Sequence, residues 1–183
     1  MVPQNRSELT LGADAIVYGK TVDVKSQWNA DKTHIETTAQ IMVTDVFASK
    51  DKSISPGNTI SVTILGGTVG NDTEWVEDTP VFIPNVDLIV FLKKTDAGKY
   101  ALYGLTQGII PVTNGQIGYS KPGTTQAPGN DVNSFKQEIN AILQGNVGTK
   151  TTEKIPTTQQ APILFAPVIT VIAAVLMFKK YGQ

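Results

Sequence analysis

The chain has 183 residues, a formal charge of −1 from 15 Lys and Arg against 16 Asp and Glu, and no cysteine. That length can bury a sizeable core as one domain with appendages. The balanced charge offers no basic stripe for nucleic acid, and the lack of Cys excludes disulfides, thiolate zinc sites and cysteine nucleophiles. Thr, Val, Ile and Gly are abundant, a composition that favours an all-β domain.

Residues 1–8 are read as a flexible N-terminus ahead of a domain over 9–145. They hold no apolar run of the signal-peptide kind, so the protein is made without a leader or the numbered chain is a mature segment. Ala13 to Val24, ADAIVYGKTVDV, organises the rest of the domain. Ile16, Tyr18, Val22 and Val24 recur with period two, and before Gly19 the other face is apolar as well, with Ala13, Ala15 and Val17. A strand buried on both faces at one end and on one face at the other serves two sheets of a small barrel. Gly19 stands at the change, where a missing Cβ permits a bend or bulge.

Residues 25–33, which include Trp28, read as a hairpin turn. Ile35, Ala39, Ile41 and Val43 then alternate with His34, Glu36, Thr38 and Gln40, a second strand with one wet face. The phase slips near Thr44 and Asp45, which marks a bulge, and residues 47–58 read as a loop turning at Pro56-Gly57. Ile60, Val62 and Ile64 give a third strand.

Gly66 to Asn85 has no periodicity. It holds Gly66 and Gly67, Asp72, Glu74, Trp75, Glu77 and Asp78, and two prolines. Loops of this length in a compact domain are usually functional or mobile. Its glycines serve a turn, because GGTVG has neither the lysine of a phosphate loop nor a full dinucleotide fingerprint. Its carboxylates are hard ligands that could surround Ca²⁺, although their spacing is not that of an EF-hand. Trp75, the four acids and Trp28 are the candidate binding residues, and the acidity points to a cationic or metal-bridged partner.

Val86 to Leu92 is apolar on both faces, as in a central strand, and KYALYGL comes next as a fifth. Asn114-Gly115 signals a hairpin. Over 131–144 the period becomes helical: Val132, Phe135, Ile139, Ile142 and Leu143 share a stripe, Asp131 stands at the N-cap and Gly145 lies just past the end. Residues 146–160 are Thr-rich and polar and read as a stalk. Residues 161–178 are uncharged and apolar, followed by Lys179 and Lys180, the pattern of a single transmembrane helix with a basic cytoplasmic tip at 179–183.

The predicted architecture is therefore an all-β, five-stranded OB-like Greek-key barrel with one C-terminal amphipathic helix, then a stalk and a span. The order ADAIVYGKTVDV, GNTISVTILGG, VDLIVFL and KYALYGLTQG, over about residues 9–112, resembles the netrin-like barrel of the tissue inhibitors of metalloproteinases and its prokaryotic surface relatives. The resemblance implies an archaeal or bacterial envelope protein. It does not extend to protease inhibition, which in that family uses an N-terminal cysteine to chelate zinc. The one histidine, His34, has no nucleophile elbow to work with and reads as an exposed strand residue. One His without Cys also disfavours zinc.

The expected function is non-enzymatic: a single-pass protein of the cell membrane that displays a barrel outside the cell as an envelope component or binding module, with a protein partner in the envelope. No cofactor and no nucleic acid are expected. Asn5-Arg6-Ser7 and Asn71-Asp72-Thr73 satisfy the N-glycosylation sequon and acquire weight if the domain is exported. Two alternatives stand beside this reading. One is a tail-anchored cytosolic interaction protein, and the other is a sugar-binding, metal-binding or enzymatic barrel that uses the 66–85 loop.

Overall fold

A computed structural model describes residues 4–95, 98–118 and 131–146. Five strands close a barrel: β1 (Ala15–Trp28), β2 (Ile35–Ser49), β3 (Thr59–Leu65), β6 (Asp87–Lys94) and β7 (Tyr100–Leu102). The ring order is β1-β2-β3-β7-β6, and β6 pairs back onto β1. All neighbours are antiparallel except β3 and β7, which run parallel. Between β3 and β6 lies a small separate hairpin of β4 (Gly67–Val69) and β5 (Asp72–Glu74). Past β7, β8 (Ile109–Thr113) pairs with the first half of β6, and β9 (Gln116–Ile117) folds back on β8. Asn114 and Gly115 make that second hairpin with φ of 51° and 75°, the two left-handed residues that a type I′ turn requires.

β1 changes character as expected, from buried on both faces to buried on one, but the change is not where the spacing puts it. Ala15 and Val17 point into the barrel while Ile16 and Tyr18 point outward into a second apolar layer. The pairing with β2 slips at three places, the last between Thr21 and Asp23. That slip leaves Val22 43% exposed and turns Val24 inward. Val22 and Val24 therefore do not continue the Ile16–Tyr18 face. Gly19 sits at the middle slip, opposite Val43, with Thr44 left over on β2, the bulge expected near Thr44. A Cβ at Gly19 would meet the Met42 carbonyl oxygen at 2.5 Å and Ile41 Cγ2 at 2.8 Å. Gly19 is required by close approach of β2 rather than by a positive φ. β2 itself runs on to Ser49, so the segment expected to be loop from residue 47 begins as strand, with Phe47 buried in the outer layer.

The barrel interior is built from alternating residues of each strand, among them Ala39, Ile41, Val43, Val62, Leu88, Val90 and Leu92. β6 is buried on both faces because Ile89 and Phe91 point the other way, toward α2 (Val132–Leu143). Phe135 of α2 stands edge-on to Phe91, with ring centroids 6.4 Å apart, and Ile139 fills the next turn. α2 starts where the sequence places it. The Asp131 side chain accepts hydrogen bonds from the backbone N–H groups of Asn133 and Ser134, and Gly145 comes after the last turn at φ 71°. Leu143, expected on the apolar stripe, is 44% exposed instead, because it lies one residue off the i, i+3, i+4 spacing.

Two elements depart further from expectation. The segment expected to be a flexible N-terminus is helical from Arg6, forming α1 (Arg6–Gly12) with a reciprocal capping box between Asn5 and Glu8. α1 buries Leu9 and Thr10 and lays the Arg6 guanidinium over the Phe135 ring, 4.4 Å from its centroid. The fifth barrel strand is only Tyr100–Leu102. After it Gly104, at φ 84°, turns the chain into a 3₁₀ turn, Leu105–Gly108. The stalk and the apolar segment 161–178 lie outside the described residues. No helix among the described residues is long and apolar enough to cross a membrane.

Candidate functional site

β6 pairs with β1 only from Ala15 to Lys20. Beyond that point β1 and β2 continue together as a ribbon to the turn between Trp28 and Ile35, and the inner face of this ribbon needs a cover. The 66–86 connector supplies it. Gly66 and Gly67, at φ 90° and 138°, swing the chain off β3 into the β4–β5 hairpin. A Cβ on Gly67 would fall on the hydroxyl oxygens of Thr37 and Ser26, so glycine is required for the hairpin to lie on the ribbon. Those two hydroxyls share a hydrogen bond of 2.8 Å, and Thr37 Oγ1 donates to the Gly66 carbonyl at 2.6 Å.

Glu74, the last residue of β5, fastens the hairpin to the ribbon. Its Oε2 accepts the Ile35 N–H at 2.5 Å, and its Oε1 lies 2.9 Å from His34 Nδ1. The Ile35 N–H, and then the His34 ring, hold the Glu74 carboxyl below the usual carboxylate range. His34 is thus exposed but engaged, in the turn just ahead of β2. After Glu74 the chain passes through a turn at Glu77 and Asp78 and drives Phe82 into the barrel core, where it is 4% exposed. The Thr21 and Val86 backbones then close the connector: Asn85 N–H donates to the Thr21 carbonyl and Thr21 N–H to the Val86 carbonyl, at 2.7 and 3.0 Å.

This arrangement leaves an open groove of about 360 Å³ between connector and ribbon. Val24, Ile64 and Pro80 form apolar walls, the Thr37 and Ser26 hydroxyls lie along it, and Glu74 and Trp75 stand on the connector side. Trp75 and Val81 are each 80% exposed, and Ile83 and Leu65 are more than half exposed. Large apolar side chains held this far out of the core, in one segment beside a groove, have the character of a binding surface.

The candidate residues thus separate. Glu74 and Trp75 line the groove; Trp28, Asp72, Glu77 and Asp78 do not. Trp28 is the last residue of β1, not a turn residue, and pairs with Ile35. Asp72 begins β5 on the exposed side, and Asp78 sits at φ 62° in the following turn, its carbonyl accepting from Thr106 N–H. Among the described residues no group of three or more His, Asp or Glu is placed to hold a metal ion. Sequence reasoning misses Val81 and Ile83; their alternation about the buried Phe82 is the available signal. Asn71 lies exposed at the β4–β5 tip, and Asn5 caps α1 through its side-chain oxygen. No protein-family model matches the chain, and no curated protein is significantly similar to it.

Proposed function

We propose that this chain is a non-enzymatic binding module, an OB-type Greek-key barrel of the netrin-like kind, displayed outside the cell by the 146–160 stalk and the 161–178 span. The ring order, with its single parallel pair and a long bent first strand shared between two neighbours, supports the OB-type reading. The connector between its third and fourth barrel strands is the working surface, and its partner is an envelope protein that presents apolar and cationic side chains. The observation that carries this reading is the contrast within eight residues of one connector: Phe82 is a core plug at 4% exposure, while Trp75 is left at 80% above a groove. A tryptophan that does nothing for the core is the residue type most enriched at binding hot spots. The exposed carboxylates of Asp72 and Glu77 on the same connector favour a cationic contact.

A photo-crosslinking side chain at position 75 tests this in intact cells. A discrete adduct formed from positions 75 and 83, but not from exposed Lys52 far along the chain, is the expected result. Equal labelling from all three positions would reject a dedicated surface. Cleavage of the barrel by protease added to intact cells tests display. Positive charge flanking a span favours the cytoplasmic side, so Lys179 and Lys180 should remain inside.

A further inference from the structure

The barrel is electrically polar along β1. The groove and the acidic connector that borders it lie toward the end where β1 reaches Trp28; the opposite end, where β1 starts, gathers lysines. Lys50 Nζ and Lys93 Nζ reach Asp14 Oδ1 at 3.0 and 3.2 Å, and the Lys94 backbone N–H donates to Oδ2. Lys94 Nζ turns to Asp51 Oδ2 at 2.7 Å. Lys52 and Lys99, both exposed, adjoin Asp51 and Tyr100 in the chain. Three of these lysines, Lys50, Lys93 and Lys94, pair with Asp14 and Asp51; with Lys52 and Lys99 beside them in the chain, and counting Asp96 of the same stretch of sequence, an excess of positive charge remains. Two large apolar side chains lie at this end as well. Leu11 of α1, 60% exposed, and Leu143 of α2 border one shallow cavity with Asp14 and Lys50. Leu143 is the last residue of α2.

We infer that this basic end is a docking surface for anionic lipid headgroups, which seats the barrel on a membrane with its groove facing away. Partly or fully exposed lysines at the same end as exposed leucines match the interface of a bilayer, where charge meets headgroup and the apolar side chain enters the boundary. A net excess of two or three charges binds such a surface weakly. The docking therefore rests on the anchored reading above, because tethering to the same bilayer makes a weak contact effective.

The full chain mixed with vesicles of phosphatidylcholine, or of phosphatidylcholine with phosphatidylglycerol, tests this by flotation and by amine acetylation. Acetylation of Lys50, Lys52 and Lys94 should slow several-fold on the anionic vesicles and recover in high salt, while Lys32, at the far turn, stays unchanged. Lys52→Glu with Lys99→Glu, which leaves the ion pairs of Asp14 and Asp51 in place, should abolish the difference. Equal acetylation in the two lipids, or equal slowing at Lys32, overturns the docking surface. Protection by inorganic phosphate without vesicles would show a simple anion site and also overturn it. Failure of the anchor looks different: the chain would not float with phosphatidylcholine, and docking would then appear as salt-sensitive flotation with the anionic vesicles alone.

Discussion

Trp75 and Phe82 carry opposite predictions although they sit seven positions apart. Phe82→Ala empties a packed site in the barrel interior and should cost about 3–5 kcal/mol, the range for a buried phenylalanine, seen as a lower urea midpoint. Trp75→Ala leaves the core packing in place and should keep stability within about 0.5 kcal/mol while the adduct formed from position 83 is lost. A large stability loss from Trp75→Ala would mean that its ring is packed after all. The sequence cannot separate the two, since an aperiodic connector gives no face to read; only the closure of the barrel decides which aromatic is drawn in. Asp51 is a second residue whose role depends on the fold. Its carboxylate accepts from Lys94 Nζ, Tyr100 OH, and the backbone and hydroxyl of Ser53, which hold it far below the ordinary range. Burial first, and then Asp51, push the Tyr100 phenol up to about 12. With Asp51→Asn the Tyr100 titration should move toward its ordinary value in an ultraviolet pH titration; an unmoved curve would show that burial alone sets it.

At the scale of elements, β1 and α2 are legible in the sequence and α1 is not, for reasons of length and burial. α2 declares itself through Phe135, Ile139 and Ile142 between a capping Asp131 and Gly145. α1 is 7 residues long and buries only Leu9 and Thr10, too little for a periodic signal. Its capping box at Asn5 and Glu8 is present in the sequence, but Asn5 there also opens a glycosylation sequon, and the sequon is the more conspicuous pattern. Asn5→Ala should cost about 0.5–2 kcal/mol, measurable by chemical denaturation, and no loss would show that α1 adds nothing to the fold. In β1 the glycine is legible as a special position, but the phase beyond it is not. Period two survives a glycine and does not survive a bulge, and the slip at Val22 has no residue signature of its own. Gly19→Val should destabilise by about 1–3 kcal/mol, the usual range for overpacking, because the new side chain meets the Met42 backbone of β2 rather than a movable side chain. An unchanged melting temperature would mean that β1 and β2 do not approach closely there.

For the whole molecule, the two apolar layers fix what can be removed. The inner layer draws on the barrel strands, Ile54 and Phe82; the outer layer runs from Leu9 to Ile139. Among the described residues both layers are built from residues 9–139, so a chain ending at Asn146 should keep the circular dichroism and urea midpoint of the full protein. An aggregated product would place later residues in the core. Its acid response comes from carboxylates held below their ordinary values: Asp14 by Lys50, Glu74 by the Ile35 N–H, Asp131 by Ser134, and Asp51 as above. A group with a depressed folded pKa binds its proton more readily in the unfolded chain. These four therefore contribute stability above about pH 4 that is lost as pH falls further. The urea midpoint should stay level from neutral pH to about pH 5 and then drop. Asp51→Asn should lower the plateau and flatten the drop together, since it removes one bridge and the proton uptake that breaks it. A drop of unchanged steepness in that variant would mean that the loss at acid pH comes from general charge repulsion and not from the bridge between β6, β7 and the β2–β3 loop.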